Sequence, residues 1–364
     1  MNHSSRLAGR RALFVTTFFT AALASLSMLM SVTARAQRNE RGVRVVPVEA
    51  ERRVDVFVDG QPFTSYVWPG TLKKPVLYPL RAATGTPVTR GYPFDPRPGE
   101  RVDHPHHVGY WFNYGDVNGV DFWNNSDTLA PERQAKMGTI LHRRVVRAKD
   151  GKASGELEVE TDWVMPDGKT ILRETTRFVF HAGPNSRAVD RVTTLTALDR
   201  PVVFKDNKEG VLGLRVRREL EQPADKPEIY TDASGKPTAV AKLDNTGVNG
   251  LYRSSEGKTG DAVWGTRARW ATLAGKVGTE EVTLAILDHP KNAGYPTYWH
   301  ARGYGLFAAN PLGQEALSGG KDKLNFTLEP KQSVTFRHRL LILSGPTAPA
   351  EIEKQYSRFV EEVK

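Results

Sequence analysis

The 364-residue chain contains no cysteine. Disulfides, thiolate metal sites and cysteine nucleophiles are thereby excluded, so the fold must be held by burial, which a chain of this length can supply. Several other features are missing. There is no G-x-S-x-G elbow, no H-E-x-x-H pair on a helix, and no phosphate-binding glycine loop in a strand–helix context. A serine hydrolase, a zincin and a nucleotide-dependent enzyme are disfavoured on those grounds. Cations do not cluster either. The formal charge of +10 includes four arginines ahead of Gln37, and without them it falls to +6. The remaining cations are scattered singly among acids, so nucleic acid is not an expected partner.

Long apolar runs are confined to the start. Arg6, Arg10 and Arg11 precede "ALFVTTFFTAALASLSMLM", and "TARAQ" then offers Ala34-x-Ala36 as a cleavage site. That order predicts an export signal over 1–36 and a mature chain from about Gln37, periplasmic or extracellular. A membrane anchor is the alternative, because the run approaches the ~20 residues that a spanning helix needs. No later segment could span, so no stable membrane span is expected once the signal is removed.

What is abundant is alternation. "VDVFVDGQPFTSYVW" reads as a hairpin turning at Asp59-Gly60, and "GELEVETDWVMPDGKTILRETTRFVFHAG" as a longer one turning through Pro166-Asp167-Gly168. "SRAVDRVTTLTAL", "TRARWATLAG", "EEVTLAILDHP", "DKLNFTLEP" and "QSVTFRHRLLIL" continue the pattern. Many evenly spaced strands with Gly- and Pro-rich turns predict an all-β fold. The expectation is one large antiparallel β-sandwich over 37–364, with a galactose-mutarotase-like supersandwich as one form of it. It should end in a helix at about 348–363, where Ile352, Tyr356, Phe359 and Val363 fall near helical spacing.

Nine histidines are present, and five of them lie in two stretches, "RVDHPHHVGYWFNYGDVNGVDFWNN" and "LDHPKNAGYPTYWHARGYG". Pro105 biases His104 toward an extended conformation, which would put His104 and His106 on one side of the chain and His107 on the other. An H-x-H pair can present two imidazoles to a divalent ion. His289, at a strand-to-loop transition, is the candidate third ligand, and Asp103 or Asp116 an orienting carboxylate. The competing reading is hydrogen-bonded structural histidines in a polar loop, as is expected for His142, His181 and His338. In the second stretch, Tyr298, Trp299 and His300 are followed by Arg302 and by Gly303-Tyr304-Gly305, where the backbone can approach a ligand. Tyr298 and Trp299 would alternatively fill the core.

A third stretch, "FKDNKEGVLGLR", crowds Lys205, Asp206, Lys208 and Glu209 before a Gly-rich strand. With Glu209 partly buried near the histidines, it becomes a general acid/base candidate and Lys205 an oxyanion stabiliser. Otherwise the stretch is a solvated turn.

The segments "DHPHHVGYWFNYGDVNGVDFW", "KDNKEGVLGLR" and "LDHPKNAGYPTYWHARGYGLFAANPLG" together resemble a bacterial family commonly labelled "methane oxygenase PmoA". The resemblance runs from about the first mature strands to near the C-terminus, departing from the family at Val108 and Ala293. It implies an exported β-sandwich and an accessory role in carbohydrate breakdown. The membrane subunit that shares the label is a bundle of transmembrane helices, unlike this alternating sequence. A copper-binding histidine brace would need histidine at the mature N-terminus, where Gln37 stands.

Three functions follow as expectations. The first is a carbohydrate-active enzyme performing hydrolysis, β-elimination or epimerisation. His104, His106, Glu209, His300 and Lys205 would be catalytic. Trp111, Asp116, Asn118, Tyr298, Trp299 and Arg302 would bind the sugar or a similar small polar substrate, with Arg302 or Lys205 fixing a hydroxyl or carboxylate. His104, His106 and His289 would hold any divalent metal. The second is a non-catalytic carbohydrate-binding module using the same aromatics. The third is a copper-dependent oxidase, as the family label suggests.

Overall fold

A computed structural model describes residues 41–241 and 244–364 of the chain. The expected export signal lies outside the described residues. Strands account for most of the regular structure, and the alternation explains why. Buried and solvent-facing positions exchange at every residue of Arg53–Val58 and through most of Ser154–Val164, the period of a strand with one buried face.

One sheet has eight strands. From edge to edge they are β1 (Val43–Val48), β2 (Arg53–Val58), β3 (Gln61–Val67), β4 (Val76–Leu77), β5 (Tyr110–Tyr114), β11 (Gly210–Arg215), β18 (Leu306–Asn310) and β17 (Tyr298–Arg302). The other runs β14 (Leu251–Ser254), β15 (Trp270–Val277), β16 (Glu280–Asp288), β20 (Ser333–Ser344), β9 (Ser186–Ala197), β8 (Thr170–Gly183), β7 (Ser154–Val164) and β6 (Thr139–Lys149). Two short pairs complete the strands, β10 (Val202–Phe204) with β19 (Phe326–Leu328) and β12 (Glu228–Thr231) with β13 (Pro237–Val240). The pairings within both large sheets are antiparallel. The helices are α1 (Pro131–Gln134), α2 (Gln314–Ser318) and α3 (Pro349–Glu362). Among the described residues no helix is long and apolar enough to cross a membrane.

The two hairpin turns form where Asx-Gly chemistry puts them. Asp59 and Gly60 both have positive φ, 50° and 74°, the backbone of a two-residue turn whose twist matches the strands it joins. The inner faces of the two sheets share one core, in which Phe112 meets Phe336 at 5.6 Å and Phe63 meets Phe180 at 6.2 Å between ring centroids. The fold is thus an all-β, antiparallel sandwich with a short C-terminal helix. Helix α3 covers the outer face of the second sheet, where Ile352, Tyr356 and Phe359 pack with Trp270, Leu287 and Leu341.

The outer face of the first sheet is covered differently. Here β5, β11, β18 and β17 pair so that Trp111 faces Gly213, Gly213 faces Ala308, and Ala308 faces His300. Two small residues between two rings leave room above the sheet. A Cβ on Gly213 would stand 2.4 Å from the Trp111 ring, so this glycine is required by a close approach. Long irregular segments fold over that face and bury a second apolar cluster of Val108, Trp111, Trp123, Leu306 and Ala308. The histidine-rich loop rests on this cluster.

Candidate functional site

The 103–107 loop is a turn, not an extended strand. His107 N–H donates to the His104 carbonyl at 2.9 Å, and His104 has a φ of 41°. Proline favours the second position of such a turn, and that preference prevails over the extended bias expected at His104. The left-handed backbone at His104 costs of order 1 kcal/mol and is held by tertiary contacts. The result departs from simple alternation: all three imidazoles gather together, with ring centroids 4.3–5.7 Å apart.

Two buried arginines hold the loop. Arg90 donates to the carbonyls of Arg101, Asp103, His104 and His107, and also pairs with the Asp103 carboxylate. Arg215, fully buried on β11, donates to the same carboxylate oxygen at 2.6 Å, while His104 Nδ1 lies 2.9 Å from the other oxygen. Burial alone would raise the Asp103 pKa. The Arg215 charge, the His104 hydrogen bond and the Arg90 charge outweigh it and hold the carboxyl well below its ordinary range.

Each histidine in the loop has its own surroundings. Trp123 Nε1 donates to His107 Nε2 at 3.2 Å, and His107 stacks on Trp111 at 5.2 Å. Burial and the neighbouring His106 and Arg215 charges hold His107 neutral. His104 stacks parallel to Tyr304 at 5.0 Å. Lys74 donates to the His106 carbonyl at 2.7 Å. Burial first, then the Lys74 and His104 charges, lowers the His106 pKa to about 2, and its Nε2 has no hydrogen-bond partner.

Opposite the loop stand Glu209 and His300. Asn207 Oδ1 accepts the Glu209 N–H at 2.9 Å, a local turn that fixes the residue just before β11. The Glu209 carbonyl accepts from Gly115 at 2.7 Å, where a Cβ would meet the Glu209 side chain at 2.8 Å. Glu209 pairs with Lys208, and its Oε2 lies 3.8 Å from His300 Nδ1. His300 points outward from β17 because its neighbour Trp299 points inward. Burial, then the Lys208 and Arg302 charges, lowers the His300 pKa to about 3, and Nδ1 has no partner.

These groups bound one cleft of about 800 Å³, which His104, His106, His107, Glu209, His300 and Arg302 all line. Trp264, Tyr304, Asn124, Arg133 and Glu228 complete its walls together with Asp103 and Lys208. A groove of about 590 Å³ adjoins it and shares Glu228, Trp264, Arg302 and Tyr304. The two sequence segments therefore do meet, and "FKDNKEGVLGLR" reaches the same cavity through Lys208 and Glu209.

Six of the expected catalytic and substrate-binding residues lie elsewhere. Trp299 is buried in the core with Nε1 donating to the Ala268 carbonyl at 3.1 Å, the inward half of the alternation that turns His300 out. Trp111 is a buried platform beneath His107 and has no exposed face. Tyr298 donates to Asp322 at 2.6 Å under the Arg267 guanidinium. Asp116 and Asn118 shape the 116–120 turn: Asp116 accepts from Gly119 at 2.9 Å, and Asn118 bridges to Pro201 and Val203. Lys205 is exposed, and its backbone N–H donates to Asp116. Conversely, Trp264, Arg133, Asn124 and Glu228 carry no pattern in the sequence that marks them. Tyr304, within "GYG", had a local signal only as a loop.

The expected metal trio does not assemble. His289 packs edge-on against Phe359 of α3 at 5.3 Å, and its Nδ1 accepts from Lys291. In the loop, His104 Nδ1 is directed to Asp103, and His107 Nε2 accepts from Trp123. Among the described residues no group of three His, Asp or Glu is arranged to hold a metal ion. The second Asp-His-Pro triplet is an anchor: buried Asp288 accepts from Asn292 at 2.7 Å and Thr297 at 2.8 Å. The remaining described histidines have structural partners. His142 stacks on Trp68, His181 pairs with Asp190 at 2.7 Å, and His338 lies 3.6 Å from Asp288.

A family profile described as "Family of unknown function (DUF6807)" matches residues 53–357. No curated protein matches the chain. Among solved structures, it is similar to a GH36 α-galactosidase, AgaA, from Geobacillus stearothermophilus, at 9% identity and a TM-score of 0.36, over 83% of this chain and 40% of that one. The chain thus spans less than half the length of that protein. A putative aldose 1-epimerase from Escherichia coli K12 is similar at 10% identity and a TM-score of 0.34, over 84% of this chain and 99% of that one. A galactose mutarotase-like protein from Clostridium acetobutylicum is similar at 11% identity and a TM-score of 0.30, over 83% and 98%.

Proposed function

The chain belongs to the DUF6807 family, a family of unknown function, and we propose that in this member the cleft between His104, His106, Glu209 and His300 is the active site of an enzyme acting on carbohydrates. The N-terminal arginines, apolar run and Ala-x-Ala site support export, so its substrate would be met outside the cytoplasm.

The observation that carries the reading is a pair of buried, unpartnered imidazole nitrogens, His106 Nε2 and His300 Nδ1, in a cleft that also holds a carboxylate. Unpaired buried polar atoms cost stability, and a substrate hydroxyl would satisfy them. Both rings are held neutral by burial, so each presents a lone pair that can accept a hydroxyl hydrogen bond near pH 7. Trp264, 37% exposed, supplies an aromatic face at the wall, and such a face stacks on the C–H surface of a sugar ring.

The charge pairing narrows the chemistry. Two-carboxylate glycoside hydrolysis needs two free acids flanking one bond. Asp103 is held by Arg90 and Arg215, and Glu228 pairs with Arg101 at 2.8 Å. Glu209 is paired as well, but with the half-exposed Lys208, whose charge water screens, and it stands with His300 as the reacting pair. The Glu209 carboxylate takes a proton from a hydroxyl or an acidified C–H and, once protonated, returns that proton to a ring or leaving oxygen, while neutral His300 holds the reacting hydroxyl. That division suits epimerisation or β-elimination better than two-carboxylate hydrolysis. The test is turnover of a saccharide panel by wild type, Glu209→Gln and His300→Gln. Wild-type turnover lost in both variants supports the reading.

The parallel Tyr304 and His104 rings favour a second reading, a binding module without turnover. Under it the same substitutions alter affinity and no product forms in any protein. The oxidase suggested by the resemblance predicts copper uptake and oxygen consumption with a reductant, which metal analysis and an oxygen electrode test directly.

A further inference from the structure

The cleft has more cations than its acids can use. Its three carboxylates are all taken: Asp103 by Arg90 and Arg215, Glu209 by Lys208, and Glu228 by Arg101. Among the described residues, two lining guanidiniums, Arg133 and Arg302, stand outside any ion pair. Arg302 lies over the Trp264 ring at 5.7 Å and near the Tyr304 ring at 5.9 Å from their centroids. Those contacts orient the fork while leaving its N–H donors free. Arg133 stands on the cleft wall in the short helix α1, which Gln134 ties to the Asp127 and Leu129 carbonyls. Asp261 lies near Arg302 but faces the adjoining groove, where Gln222 donates to it at 2.6 Å. Two unpaired planar cations facing one polar cavity match an oxyanion, which each can grip with two parallel hydrogen bonds.

We infer that the saccharide taken by this cleft carries an anionic substituent, a carboxylate or a sulfate ester, received by Arg302, with Arg133 adding positive charge to the cleft wall. This rests on the carbohydrate reading and narrows it to acidic sugars. Arg302 also stands where cleft and groove join, so the charged substituent would sit at that junction while the reacting carbon faces His300 and Glu209.

Calorimetric titration of the folded chain with four probes tests the inference. They are a galacturonic acid trisaccharide, the matching neutral galactose trisaccharide, galactose 6-sulfate and tricarballylate. The expected result is at least tenfold tighter binding of the acidic than of the neutral trisaccharide. That preference should weaken with added salt and fall at least tenfold in Arg302→Gln, and less in Arg133→Gln. Galacturonate preferred over sulfate, or the reverse, identifies the oxyanion. Equal binding of acidic and neutral trisaccharides, unchanged in Arg302→Gln, overturns the inference and leaves the carbohydrate reading standing. Arg302-dependent binding of tricarballylate without binding of any saccharide overturns the sugar reading and keeps the anion site. Binding of none of the four overturns the inference.

Discussion

Glu209 Oε2 lies 3.8 Å from His300 Nδ1. That is too long for a direct hydrogen bond and leaves space for a substrate hydroxyl to contact both atoms. The carboxylate arrives from the turn before β11 and the imidazole from β17, with β18 between the two strands. Antiparallel pairing of distant segments, rather than any local motif, creates the pair.

Removal of either group should abolish chemistry more than binding. Acid/base catalysis contributes typically 10²–10⁴-fold. Glu209→Gln and His300→Gln should each lower kcat by at least about 100-fold on a turned-over saccharide, with KM changed little. A rise in KM at constant kcat would assign these residues to uniform binding.

Activity should persist into acid. With the His300 pKa lowered to about 3, its neutral form survives far below the ordinary histidine value of about 6.5. The kcat/KM profile should then show no loss between pH 7 and pH 5. A decline centred near 6.5 would mean that the catalytic imidazole is solvated.

Stability should behave oppositely. His106 and His300 have folded pKa values lowered to about 2 and about 3, while in the unfolded chain they protonate near 6.5. Between those values the unfolded state binds more protons, so stability falls as pH drops below about 6.5, by up to about 1.4 kcal/mol per unit for each ring. Asp103 acts with the same sign in a lower window: its folded pKa is also depressed, so its contribution is present above about 4 and is lost as pH falls from there through the folded value. Urea midpoints between pH 7 and 4 check this. His106→Gln should flatten the slope.

The loop's anchor is a sensitive point. Arg90→Met leaves four carbonyls without this donor and the Asp103 carboxylate with Arg215 and His104 alone, and each buried acceptor left unsatisfied costs about 1–3 kcal/mol. Thermal unfolding should show a large fall in midpoint. Arg90→Lys should rescue little, because one ammonium cannot span the same acceptors.

Trp264→Ala separates binding from folding. The ring is partly exposed at the cleft wall, so unfolding midpoints should stay within experimental scatter while saccharide affinity falls several-fold. Trp299→Ala should do the reverse and cost about 3–5 kcal/mol of stability, since that ring is fully buried.

The two sheets were readable because alternation and Asp-Gly turns act locally. The strands β7, β8, β9, β16 and β20 fall within the stretches whose patterning announces them. His104, His106, His300, Glu209 and Arg302 were also accessible, since clustered ionisable groups in irregular segments point to a cleft. The aromatic roles were not. Trp299 and His300 are adjacent, and only the register of β17 against β18 decides which one faces the core. His289 shares the Asp-His-Pro triplet of His104, yet its ring is claimed by Phe359 from a helix seventy residues later in the chain. Trp264 reaches the wall from a turn with no periodic signal, which only tertiary folding reveals.

Proton NMR of a saccharide panel with wild type and Glu209→Gln tests the central claim most directly. The account predicts that at least one sugar shows changing anomeric or vinylic signals with wild type. With Glu209→Gln those signals should stay constant, while saturation transfer shows that the sugar is still bound. A sugar that binds both proteins and is altered by neither, or is altered equally by both, would contradict it.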